Sequence, residues 1–259
     1  MLGKLLKYEL MATARIFLPL YIGLMVMAVF SGLSFRTELG IMVGLAGFMI
    51  FIIYTALVVI TIILLIQRFY QNFLRDEGYL MFTLPVTPST LISSKLIVTC
   101  FWCLASIIVG ALAAFVIAVT MVPMSDIVFV LGFVDLSFIS SHMSTIILFI
   151  LACITQLVFG VLHVYLSLAI GQLPPFGKHR ILAAVAAYIV ISIVLQIVVS
   201  VILVIFGISF YQNPMFNTFY AWTNFMNVFL IGSMVFNLIL AAGAFIGTSL
   251  ILQKKLNLE

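Results

Sequence analysis

ILAAVAAYIVISIVLQIVVSVILVIF, residues 181–206, decides the class of the fold. It holds no Asp, Glu, Lys or Arg and is built mainly from Ile, Val, Leu and Ala. A helix needs roughly 20 apolar residues to cross the hydrocarbon of a bilayer, and this stretch exceeds that. Five further stretches qualify on the same criterion: Ile16 to Phe35, Ile41 to Ile66, Leu96 to Val122, Ser144 to Ile170 and Met226 to Leu252. The chain of 259 residues is 66% hydrophobic and 7% charged, with a mean hydropathy of +1.40. A water-soluble domain carries roughly 25% charged residues, so this composition belongs in a membrane. The weak alternating pattern of a transmembrane barrel is absent. The expected fold is an all-α membrane protein with six transmembrane helices in a single domain, 1–259. The first apolar run follows a basic amphipathic segment without a small-residue cleavage site, which predicts a retained span rather than a cleaved signal.

Six spans put successive loops on alternating sides. Every Lys and Arg except Arg36 then falls on one side, a strong positive-inside bias. The expectation is that both termini face the cytoplasm.

The interiors of the six stretches contain no Asp, Glu, Lys or Arg. Ion-coupled carriers and proton pumps commonly place such groups at mid-membrane, so their absence weighs against that class. His163 is the one histidine deep in a stretch. It reads as a packed, hydrogen-bonded helix contact with Ser167 one turn on as a local partner; a proton relay is the alternative. The metal-binding pattern HExxH is missing, and no metal site is expected. Cys100 and Cys103 form a CxxC, but inside an apolar run they read, like Cys153, as small buried hydrophobes. The phosphate-binding pattern GxxxxGK[ST] is also missing: Gly3-Lys4 and Gly177-Lys178 stand without the rest. The chain is therefore expected to be no enzyme by itself and to bind no nucleotide. Small residues four apart, Gly40/Gly44, Ser106/Gly110 and Gly243/Gly247, allow close helix approach, within the chain or between subunits.

The amino-terminal segment 1–15, MLGKLLKYELMATAR, places Lys4, Lys7 and Arg15 on one helical face and Leu2, Leu5, Leu6 and Leu10 on another. This predicts an amphipathic interfacial helix with its cations toward anionic lipid headgroups. Glu9 interrupts the apolar face. Either it has a cationic partner, for which Arg68 and Arg75 in the next cytoplasmic loop are candidates, or the helix end frays and leaves it in water. On the outer side, the segment 207–225 holds many aromatics and no charge. It reads as an interfacial or re-entrant segment or as an aromatic belt around two helix ends. The inner connection QLPPFGKHR reads as a tight, proline-stopped turn.

The remaining inner connection, 67–95, is the most charged. Its core is RDEGYLMFTLPVTPST, Arg75 to Thr90. The pattern predicts the second span continuing past the membrane, a turn at Gly78, a short helix stopped at Pro85, and a further short helix with Thr87 as N-cap and Pro88 at its first position. The stretch resembles the loop between the second and third spans of the type-2 ABC exporter permeases. There, an acidic residue and glycine precede an apolar stretch, a Thr/Leu-Pro-Val-Ser/Thr turn and a Lys opening the third span. Here these are Glu77-Gly78, Tyr79 to Phe82, Thr83 to Thr87, and Lys95. Six spans, inward termini, the amphipathic amino-terminal helix and the aromatic outer segment resemble the compact Gram-positive members over nearly the whole chain. Tyr79 to Phe82 is more aromatic than the usual form.

The resemblance implies a function and a set of partners. The chain would be the permease subunit of an exporter in a bacterial cytoplasmic membrane. It would pair with a second permease subunit, the same or different, and with two copies of a separate ABC ATPase that carries the ATP and Mg. The loop would be a coupling helix. Asp76 and Glu77 would meet a basic groove on the ATPase, Tyr79, Leu80 and Phe82 would supply apolar contact, and Gly78 and Pro85 would shape the turn. Arg68 and Arg75 would support the loop. The cargo would be amphipathic: an antimicrobial peptide, a lipid or a drug. No nucleic-acid partner is expected. A transporter not driven by ATP and a non-transporting accessory or immunity protein are the competing readings.

Overall fold

The computed structural model describes residues 2–36, 40–74, 87–121, 136–176, 179–211 and 219–254. Among these every regular element is helical: α1 (Leu2–Arg36), α2 (Gly40–Leu74), α3 (Pro88–Met121), the short α4 (Leu136–Ser141), α5 (Met143–Ile170), a 3-10 turn (Pro174–Phe176), α6 (Arg180–Tyr211) and α7 (Phe219–Lys254). Among the described residues six helices are long and apolar enough to cross a membrane. Their spanning parts are Leu5–Phe35, Gly40–Leu64, Ser89–Met121, Met143–Ile170, Arg180–Ile208 and Trp222–Gln253. The chain is a multi-pass membrane protein, as its six apolar runs predict.

Three boundaries differ from expectation. The described part of the segment 1–15, from Leu2, is not a separate helix but the opening turns of α1, which is continuous over 35 residues with Pro19 inside it. The cause is tertiary: Leu6, Leu10 and Ala14 pack on a core of Phe17, Tyr21, Leu57, Leu64, Val98 and Trp102, so the apolar face meets helices. Pro88 does occupy a first helical position, where its missing N–H costs nothing. That helix, however, is no short piece and runs unbroken through the third span. The segment 207–225 is helical at both ends, since α6 reaches Tyr211 and α7 begins at Phe219.

The chain divides into two compact units. The first comprises 1–68 and 90–136, the second 69–89 and 137–259. In the first, α1 and α3 run parallel and α2 runs against them. Leu24, Ala28 and Ala113 continue the core toward the far end. Close approach is set by small residues. A Cβ on Gly110 would meet the Tyr54 hydroxyl at 3.0 Å, and that hydroxyl donates to the Gly110 carbonyl.

In the second unit α5 packs chiefly on α7 and less on α6. Gly247 of α7 lies against Leu166, whereas Gly40, Gly44 and Gly243 face open space. Phe69 stacks on Tyr165 with ring centroids 4.2 Å apart. The turn from α5 to α6 is tight, as its prolines predict. Gly171 caps α5, its N–H donating to the Ser167 carbonyl at 3.1 Å, and a Cβ there would stand 2.6 Å from the Arg180 carbonyl. Over its most apolar window α6 buries none of its residues. A helix with apolar side chains on every side is suited to lipid.

Candidate functional site

The site is a polar seam between α1 and α3. It starts from the spacing of α1: Glu9, Thr13, Phe17 and Tyr21 recur every four residues and so share one face. On α3, Lys95, Trp102 and Ser106 meet them. Lys95 Nζ donates to Glu9 Oε1 at 2.8 Å, with the two side chains only 4% and 14% exposed. Trp102 Nε1 donates to Thr13 Oγ1 at 2.6 Å, and the same hydroxyl donates to the Glu9 carbonyl at 2.7 Å. Tyr21 donates to the Trp102 carbonyl at 3.3 Å and shares a 2.8 Å hydrogen bond with Ser106 Oγ. Phe17 closes the seam by stacking on Trp102, centroids 4.6 Å apart and planes within 10°.

The physical logic is that of buried polarity. A hydroxyl or indole N–H taken from water must be paired, and each polar group of this seam is. The ion pair carries the largest desolvation and is the element most sensitive to loss of one partner. Beside it lies a cavity of about 30 Å³ bordered by Glu9, Thr13, Thr61, Lys95, Thr99 and Trp102. It is large and polar enough for one water. From Lys95 to Ser106 the seam climbs about 16 Å at 1.5 Å per residue. It fixes α1 to α3 from the edge of the membrane well into it.

The expected cationic partner of Glu9 therefore exists, and it is Lys95. Arg75 lies outside the described residues, as does the side chain of Arg68. Lys7 and Arg15 are exposed; the side chain of Lys4 is outside the described set. Asp76, Glu77, Gly78, Tyr79, Leu80, Phe82 and Pro85 also lie outside the described residues. Lys95, read from the sequence only as the opening of the third span, is the most buried charge in the described helices. Thr13, Trp102, Tyr21 and Ser106 were not anticipated as a network. The four-residue spacing on α1 was the available signal.

His163 is buried and packed, stacked on Tyr188 at 4.7 Å and on Phe159 at 5.7 Å. Ser167 does bond locally, but to the His163 backbone carbonyl at 2.8 Å rather than to the ring. Among the described residues His163 Nε2 meets no hydrogen-bond partner. The cysteines are free; Cys100 and Cys103 are half-buried, and Cys153 is exposed on α5. Among the described residues no three His, Cys, Asp or Glu side chains converge.

No protein-family model, no curated protein and no solved structure matches the chain.

Proposed function

We propose that the chain is the permease subunit of a bacterial ATP-driven exporter, working with a separate ATPase that binds the loop between α2 and α3. Both termini and that loop face the cytoplasm in this reading, which follows the Lys and Arg distribution. Two permease subunits enclose a path for an amphipathic cargo. ATP and Mg belong to the ATPase pair, and closure of that pair pushes on the loops. Asp76 and Glu77 present carboxylates to its basic groove, and Tyr79, Leu80 and Phe82 add apolar contact.

The observation that carries the reading is Lys95. The loop motif ends on this lysine, and its pairing with Glu9 ties α3, a few turns beyond the loop, to the start of α1. A push delivered at the loop thus reaches two spanning helices at once. A buried pair is a stiff connector because separating its partners exposes each charge unpaired.

The test is purification of the tagged chain from its native membrane in mild detergent, with ATP hydrolysis measured on the eluate. The expected result is a co-purifying soluble ATPase that Glu77→Ala releases while the chain still inserts. Truncating a charge paired in such an interface costs roughly 2–5 kcal/mol. A chain that elutes alone from several gentle detergents overturns the proposal.

A further inference from the structure

The cavity beside the Glu9–Lys95 pair lies within the first unit and touches all three of its long helices: Glu9 and Thr13 on α1, Thr61 and Leu64 on α2, Lys95 and Trp102 on α3. Its volume of about 30 Å³ admits one very small molecule. The hydrogen-bonding state of its walls decides which one.

Thr61 donates its hydroxyl proton to the Leu57 carbonyl of its own helix at 2.7 Å. What it has left for an occupant is a lone pair. Thr13 has likewise given its proton to the Glu9 carbonyl, and its oxygen already accepts from Trp102 Nε1. The Glu9 carboxylate only accepts, and the Lys95 ammonium only donates. An occupant must therefore donate toward Thr61 and Glu9 while turning electron density toward Lys95. Chloride has no proton to give. A sodium or ammonium ion would stand against the Lys95 charge with no lone pair to offer it. An apolar molecule would leave the polar walls without compensation. Water donates twice, accepts, carries no net charge and fits the volume.

We infer that one water molecule is held here as a bridge between α2 and the seam, donating to Thr61 Oγ1 and to the Glu9 carboxylate with its lone pairs toward Lys95. It gives α2, whose neighbouring contacts with the seam are the apolar Leu57 and Leu64, a polar hold on the ion pair. A bridging water is nearly as good enthalpically as a direct hydrogen bond, so the first unit gains a three-helix polar junction from a threonine with no proton to spare. The inference goes beyond the exporter reading and does not depend on it.

The test is radiolytic hydroxyl-radical footprinting of the full chain in lipid nanodiscs. An X-ray pulse makes radicals wherever water sits, so a side chain touching a bound water is oxidised even when bulk solvent is excluded. Phe17 and Leu64 border the cavity and are buried; Leu24 and Leu57 are buried and do not border it. The expected result, normalised for residue type, is several-fold faster oxidation of Phe17 and Leu64 than of Leu24 and Leu57. After mixing into water enriched in oxygen-18, the isotope should reach Leu64 later than the exposed Tyr8. Thr61→Ile fills the cavity and should abolish oxidation of Phe17 and Leu64. Thr61→Ser, which keeps the acceptor, should retain it, as should Thr55→Ile at an exposed position of the same helix outside the cavity. Phe17 and Leu64 as protected as Leu24 and Leu57 would mean a dry cavity and overturn the inference. So would isotope reaching Leu64 as fast as Tyr8, which means open solvent, or oxidation that survives Thr61→Ile. The first two readings come from the native chain and stand whether or not Thr61→Ile folds.

Discussion

Lys95→Met isolates the contribution of the seam's ion pair. In the native chain the ammonium stands 2.8 Å from the Glu9 carboxylate with both side chains nearly closed to solvent. At an effective dielectric of about 20 their direct attraction is about 6 kcal/mol, and much of it is offset by the desolvation of both groups. Removing one partner leaves the other buried and uncompensated, which costs roughly 3–5 kcal/mol. Removing both charges leaves no such debt, and replacing a buried pair by neutral groups is often close to neutral. The expected order is therefore Lys95→Met far less stable than the native chain, and Glu9→Gln/Lys95→Met much nearer to it. The cycle should return a coupling of about 3 kcal/mol, read from reversible unfolding in mixed micelles of mild detergent and dodecyl sulfate. Additive single effects, or a Lys95→Met variant no weaker than the double variant, would refute the argument that the pair is buried and mutually dependent.

The other predictions concern close packing and the rest of the seam. Thr13→Val strands the Trp102 indole N–H and should cost about 1–3 kcal/mol; Thr13→Val/Trp102→Phe should lose less than the sum of the singles. Gly110→Ala forces the Tyr54 ring aside and should cost about 1–3 kcal/mol, with part recovered in a Tyr54→Phe background. Gly171→Ala drives a methyl into the Arg180 carbonyl and the Ala184 side chain, at 2.6 and 2.7 Å, and should give the lowest melting temperature of the glycine series. Gly243→Ala faces open space and should match or slightly exceed the native melting temperature, since alanine favours the helix.

The spans were legible because their signal is local: run length and lack of charge suffice to mark each crossing. The ends of the helices were less so. Leu2 to Arg15 reads as amphipathic whether its apolar face meets lipid or other helices, and only Leu6, Leu10 and Ala14 packing on Phe17, Leu64 and Trp102 decides it. Glu9 was legible as a misfit, because a carboxylate on an apolar face needs a partner. The identity of that partner was not, since Lys95 is 86 residues away and the polar stretch before Leu96 hid how early α3 begins. The Thr13–Trp102 and Tyr21–Ser106 contacts depend on the parallel alignment of α1 with α3, which no local pattern records. His163 was legible as a packing residue; its stacking between Phe159 and Tyr188, rather than pairing with the Ser167 hydroxyl, needed the neighbouring helix.

The central claim is that the loop between α2 and α3 receives a soluble ATPase, and a photoreactive residue in place of Leu80 tests it at the point of contact. The chain carrying it is irradiated in native membranes, and the adducts are probed with a radiolabelled azido-ATP. The account predicts one adduct to a soluble nucleotide-binding protein, lost when Glu77→Ala is added. An adduct to lipid or to the chain itself, with no nucleotide-binding partner in any preparation, would contradict it.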